Sequence, residues 1–259
     1  MPQIEVAGET FQYQEAGQGF PLVLLHGLGS SAEDWEFQLP AFAPRFRVIA
    51  LNLRGFGGSA RGSGRLSIPR FADDVWAQLQ QLGVRRFHLV GHSMGGAVAL
   101  QVALDHPQAV ARMVITNSVP SFRPKTLQQH FEVWYRQIVM RLFGPARLAR
   151  IGAMRMYPGP EQQALRDKSA ARGARNGRSY LESLRALTRW SVVDRLRELT
   201  MPVLVVAAEH DYFSREDMLQ FAHGLPKGRF HLFEGTHHGL PLEAPQLFNP
   251  LVLKFLRRR

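Results

Sequence analysis

The chain has 259 residues and a mass of 29.3 kDa, enough for one large domain or one domain with an insertion. Its 45% hydrophobic and 20% charged content is that of an ordinary globular protein, and the absence of cysteine excludes disulfides, thiolate nucleophiles and cysteine metal sites. The net charge is +11, no apolar run approaches the ~18 residues needed to span a bilayer, and the start has no signal-peptide pattern, so a cytoplasmic protein is expected.

In chain order, "IEVAGETFQYQEAGQG" (4–19) predicts an antiparallel hairpin turning near Gly8 at a sheet edge. Apolar, β-branched runs then recur: "PLVLLHG" (21–27), "FRVIALNLRG" (46–55), "FHLVGHS" (87–93), "RMVITNS" (112–118), "PVLVVAAEHD" (202–211) and "RFHLFEG" (229–235). Such near-continuous runs suit strands buried on both faces. Between them lie helical patterns at 30–43, 67–83, 93–107, 214–224 and 244–256. The second has Ser67 as N-cap, Pro69 in its first turn and Gly83 as terminator. Strand–helix alternation implies an α/β fold with a mostly parallel, doubly wound sheet.

The alternation breaks once. From Val119 to Thr200 there is only amphipathic helical pattern, interrupted at Gly144-Pro145 and at "YPGP" (157–160), too long for a plain crossover. This predicts a helical cap, 119–200, inserted into a core made of 1–118 and 201–259. Phe122, Phe131, Trp134, Met140, Phe143, Met154, Met156 and Trp190 are the candidates to line its underside. Residues 121–190 hold fourteen Lys/Arg against four Asp/Glu, so nearly all the positive charge sits there. It could draw an anionic substrate, an acidic carrier or a membrane surface; alternatively it is a solvated helical face, since 28 of the 32 basic residues are Arg.

The chemistry concentrates in "LVGHSMGGAV" (89–98), a G-x-S-x-G with a strand before it and a helix after it. That context makes Ser93 a nucleophile held on a sharp, strained turn, with Gly91 and Gly95 relieving the crowding and Gly96 allowing close helix–strand approach. The serine needs a base and an orienting carboxylate. Asp211 follows one late strand, with Glu209 two residues earlier as its rival, and His237 and His238 follow the next.

The chain resembles the α/β-hydrolase fold family of compact bacterial esterases and thioesterases over nearly its whole length. The likeness rests on "LLHGLGSSAEDW" (24–35), "LNLRGFGGS" (51–59), "GHSMGG", "EHD" (209–211) and "HGLPLEAP" (238–245). It implies His238 as the catalytic histidine, because Glu243 and Pro245 follow at the family's spacing. It also implies Asp211 as the acid and the amides of Leu28 and Met94 as an oxyanion hole. His26 and Gly27 are then a structural motif of the oxyanion loop. Asn52 stands where the family usually has Asp.

"GFGGSA" (55–60), with Asp73 and Asp74 downstream, mimics a dinucleotide fingerprint but opens no helix, and neither phosphate-loop nor metal-binding patterns occur. No cofactor, metal or nucleic acid is expected. The expected function is a serine hydrolase acting on an ester or thioester of a small-to-medium apolar acyl group. A C–C hydrolase on the same triad would predict Trp after the catalytic histidine, where Gly239 stands. A cofactor-free perhydrolase-like or lyase activity, or a non-catalytic binding module, are the remaining alternatives; Ser93 excludes the Asp-nucleophile hydrolases.

Overall fold

The structure, a computed structural model, describes residues 1–177 and 179–257, so Arg178 of the basic segment and Arg258 and Arg259 of the closing Arg run lie outside it. Eight strands form one sheet: β1 (Gln3–Val6), β2 (Glu9–Ala16), β3 (Pro21–Leu25), β4 (Arg47–Leu51), β5 (Phe87–His92), β6 (Val110–Thr116), β7 (Val203–His210) and β8 (Gly228–His237). Their order is β1-β2-β4-β3-β5-β6-β7-β8. β1 and β2 pair antiparallel, turning at Ala7-Gly8, and β2 meets β4 antiparallel; every later pairing is parallel.

The apolar runs are double-sided because the pleat sends alternate residues to two separate cores. In β3, Val23 and Leu25 join one cluster while Leu22 and Leu24 join the other; Ile49/Leu51 and Val48/Ala50 divide likewise in β4. All eight side chains are fully buried. A register slip of one residue would exchange the two sets, and each buried Val, Leu or Ile among them contributes about 1.5–3 kcal/mol by leaving water.

The predicted helix at 30–43 is instead a 3₁₀ turn, Ala32–Trp35, followed by the short α1 (Gln38–Phe42). The reason is tertiary: the Ala32 amide donates to Asn52 Oδ1 at 2.7 Å, and Trp35 is drawn into the core. Helices α2 (Ile68–Gln81) and α3 (Met94–Asp105) follow their sequence signals. The Arg70 amide donates to Ser67 Oγ at 3.2 Å, and Gly83 takes a φ of 71°.

Between β6 and β7 the chain forms α4 (Leu127–Met156), α5 (Gln163–Arg175) and α6 (Tyr180–Thr188), with α4 broken at Gly144, φ 74° and ψ 179°. The segment leaves and returns through a narrow neck: Ser121 bridges Ser191, and the Val192 amide donates to Pro120 O at 2.8 Å. It has a small core of its own, comprising Val139, Met140, Leu148, Tyr180 and Leu184. Part of its positive charge is neutralised against the sheet domain. Arg172 engages Glu33, Asp34 and Glu36, Lys168 pairs with Glu36, and Arg175 with Glu33. The chain closes with α7 (Arg215–Gly224), α8 (Leu240–Glu243) and α9 (Pro245–Leu256). No helix among the described residues is long and apolar enough to cross a membrane.

Candidate active site

The turn from β5 into α3 forces Ser93 to φ 53° and ψ −121°, a region a non-glycine residue occupies only when its surroundings impose it. The crowding is direct. A Cβ at Gly91 would lie 2.7 Å from the Cα of Gly96, and one at Gly95 would lie 2.6 Å from the His26 carbonyl oxygen. A Cβ at Gly96 would meet Ser118 Cβ at 2.5 Å, so glycine lets α3 pack directly against the chain after β6.

The carboxyl ends of β7 and β8 bring the two partners to this serine. Ser93 Oγ donates to His238 Nε2 at 3.0 Å, and His238 Nδ1 donates to Asp211 Oδ1 at 2.5 Å. The Asp211 side chain is fully buried, and its Oδ1 also accepts the Tyr212 amide at 2.6 Å. The pair of adjacent histidines is divided between two carboxylates. Glu243 accepts from His237 Nδ1 at 2.7 Å and from the His237 amide at 2.6 Å, leaving His238 to face Ser93. Glu209 is turned away, accepting the Gly235 amide at 2.7 Å.

Several positioning groups carried little or no sequence signal. His92 Nε2 donates to the His238 carbonyl at 2.8 Å, and burial holds His92 neutral, lowering its pKa to about 3. Asn117, at the end of β6 with φ 50°, donates Nδ2 to the carbonyls of His237 and His238 at 3.2 and 3.1 Å. The Tyr212 ring lies 4.4 Å from the His238 ring. The signal for Asn117 was faint: Asn is among the few residue types that tolerate positive φ.

His26 is a buried brace. Its Nδ1 donates to Gly27 O at 2.8 Å, its Nε2 accepts the Leu53 amide at 3.0 Å, and burial pushes its pKa down to about 4. It fixes the loop carrying Gly27 and Leu28, where a Cβ on Gly27 would lie 3.3 Å from Ser93 Cβ. Asn52 explains its own departure from the family pattern: besides accepting from Ala32, it donates Nδ2 to Gly57 O at 2.9 Å, which a carboxylate could not do. Asp74, weighed as part of a cofactor fingerprint, forms a buried two-bond pair with Arg54, both contacts at 2.6 Å.

A cavity of about 1560 Å³ opens above Ser93 between the sheet and the helical segment. Phe122, Phe131, Met140 and Met156 line it, as do Leu28 and His238. Trp134 and Trp190, both expected there, do not. Trp134 is exposed because Glu132 and Arg136, two residues to either side, occupy the inward face of α4. Trp190 is buried in the large core and donates Nε1 to Gln101 Oε1 at 3.0 Å, anchoring the neck. Phe143 and Met154 are also on the outer surface.

A family model described as the alpha/beta hydrolase fold matches residues 21–245. A protein of Yersinia enterocolitica, named provisionally as the carbamate hydrolase RutD, is 31% identical over 260 residues, covering 94% of this chain and 91% of that one. The structure of Est816, described as an N-acyl homoserine lactone degrading enzyme, superposes with a TM-score of 0.81 at 28% identity, covering 98% of this chain and all of the other. The enol-lactonase of Burkholderia xenovorans shares the fold, with a TM-score of 0.90 at 22% identity over 99% of this chain and 100% of that one. With this sheet order, the strained serine turn and these matches, the chain belongs to the α/β-hydrolase fold family and is a hydrolase.

Proposed function

We propose that this hydrolase is a serine enzyme that cleaves a carboxylic ester or thioester of a small-to-medium apolar acyl group through an acyl-enzyme. Ser93 attacks the carbonyl carbon while His238 Nε2 takes its proton, and Asp211 holds His238 in the tautomer whose Nε2 is free to accept. The developing oxyanion is received by the amides of Leu28 and Met94. Met94 opens α3, where a first-turn N–H has no intrahelical acceptor and the helix dipole favours negative charge. Removing one such donor typically costs about 10²–10³ in turnover. As the tetrahedral adduct collapses, His238 returns the proton to the leaving group; water then repeats the sequence and frees Ser93.

The observation that carries this reading is the relay itself, a 3.0 Å contact from Ser93 to His238 in series with a 2.5 Å contact to a buried carboxylate. Residues 119–200 act as the cap, and Phe122 and Met140 give the acyl group an apolar wall. The carbamate and lactone substrates in the relatives' names undergo the same acyl transfer, so both belong in the substrate panel.

The test is labelling by a fluorophosphonate probe together with p-nitrophenyl and coenzyme A esters of graded length. Labelling and turnover that vanish in Ser93→Ala are expected. A folded protein that neither labels nor turns over any ester, carbamate or lactone of the panel refutes the proposal.

A further inference from the structure

The cavity holds a charged cluster that acyl transfer does not use. On the inward face of α4, Arg136 Nε donates to Glu132 Oε1 at 2.7 Å, and Arg155 Nη1 donates to the same oxygen at 2.8 Å. Two guanidinium groups on one carboxylate leave the cluster with an excess charge of +1. Arg136 Nη1 reaches the Tyr180 hydroxyl at 3.3 Å, a neutral acceptor. The other carboxylates lining the cavity do not supply the missing charge. Among the described residues none of these is bonded to Arg136 or Arg155: Asp211 keeps its charge but is buried against His238, where it serves the imidazolium formed during turnover, Asp34 is bonded to Arg172 and Ser30, and Asp194 and Asp217 are exposed at the rim.

The position of Arg136 relates this excess to the reacting atoms. Its guanidinium carbon lies 5.2 Å from the centre of the Tyr212 ring, and that ring lies 4.4 Å from the ring of His238. The guanidinium and the imidazole therefore pack against one and the same aromatic ring. The Arg136 side chain is only 23% exposed against 44% for Arg155, and it shares its one carboxylate with that second cation, so it is the less hydrated of the two and gains more from a further anion.

We propose that Arg136, supported by Arg155, receives a carboxylate carried by the substrate. Resting on the acyl-transfer reading above, this makes the preferred substrates derivatives of dicarboxylic acids, with a free carboxylate a few bonds from the scissile carbonyl. A guanidinium suits the task because its planar fork matches a carboxylate and keeps its charge at any working pH. Arg136 is a specificity-determining residue; it touches the distal end of the substrate and not the bond that breaks.

The experiment compares kcat/KM for p-nitrophenyl hydrogen glutarate with that for p-nitrophenyl valerate, which has the same number of acyl carbons and the same leaving group. Their ratio cancels the fraction of correctly folded enzyme, because both esters report on the same active sites. The native enzyme should favour the anionic ester, and Arg136→Gln should lower the ratio about tenfold to a hundredfold, the range for losing charge-assisted hydrogen bonds. Arg136→Lys should restore part of it, and Glu132→Gln should raise it by removing the competing carboxylate. A native enzyme that prefers the valerate, or a ratio within twofold of native in Arg136→Gln, overturns the carboxylate site. Fluorophosphonate labelling of Ser93, run alongside, keeps the two readings apart. An enzyme that is labelled and active but lacks the preference refutes only the carboxylate site, whereas one that is not labelled and turns over no ester, carbamate or lactone refutes the serine acyl-transfer reading on which the site rests.

Discussion

Replacing Gly95 by alanine tests whether the close approach of α3 to β3 sets the geometry around Ser93. The added Cβ would lie 2.6 Å from both the Leu25 carbonyl carbon and the His26 carbonyl oxygen, whereas ordinary contact begins near 3.4 Å. The Leu25 carbonyl oxygen would be closer still, so a shortfall of at least about 0.8 Å has to be absorbed by elements that barely compress, since β3 is hydrogen-bonded on both edges and α3 is buried throughout its first turn. The displaced parts are the first turn of α3, which carries Ser93 and Met94, and the chain leading from β3 to Leu28. A misplacement of that size costs about tenfold to a hundredfold in kcat, and overpacking costs about 1–3 kcal/mol of stability. At about 2–4 °C per kcal/mol the melting temperature should fall by several degrees. The assays are turnover of a p-nitrophenyl ester, the rate of fluorophosphonate labelling and thermal unfolding. A Gly95→Ala protein within twofold of native kcat and within one degree of native Tm, about the resolution of such a scan, would refute the steric argument.

Asp211→Asn keeps the shape of the orienting group but lets His238 adopt the wrong tautomer; kcat should fall by about 10⁴ with little change in KM, and a loss below tenfold argues against Asp211 as the acid. Asp74→Asn leaves the buried Arg54 without its two-bond partner, and with Glu9 3.6 Å away the cost should sit near the low end of the range for broken buried pairs, about 3 kcal/mol by urea unfolding. Stability unchanged within 0.5 kcal/mol, the usual spread of a neutral surface change, would show that the pair contributes little. His26 makes the fold acid-sensitive: with a native pKa of about 4 against 6.5 unfolded, the unfolded chain takes up a proton in that interval that the native state refuses. Stability is therefore complete above pH 6.5 and falls as pH drops towards 4, by about 1.4 kcal/mol per pH unit from this residue. Urea midpoints that stay flat between pH 6.5 and 5 would contradict it.

Much of the architecture was readable before any coordinates. The β3, β4 and β7 segments carry unbroken apolar runs (22–25, 48–51 and 203–208) because successive side chains there enter two cores alternately, a demand that falls on both faces of the strand. The Ser93 turn was readable for a steric reason, since only glycine fits at 91 and 95. Asp211 and His238 were readable as residues placed at strand ends. Choosing His238 over His237 needed the family spacing, and the structure gives the physical counterpart in the Glu243 contacts to His237.

What tertiary structure alone decided was direction and partnership. Residues 30–43 carry helix signals that yield to one hydrogen bond from Ala32 to Asn52, twenty positions away. α4 bears large apolar residues around most of its circumference, so its sequence could not say that Met140 faces the cavity while Trp134 faces outward. The excess of arginines in 121–190 was plain as composition. That Arg172 docks on an acidic loop while Arg136 points into the cavity depends on groups brought together from distant parts of the chain. Periodicity and backbone sterics act between near neighbours and are written along the chain; the facing of a helix and the pairing of charges are set by contacts that exist only once the chain has closed on itself.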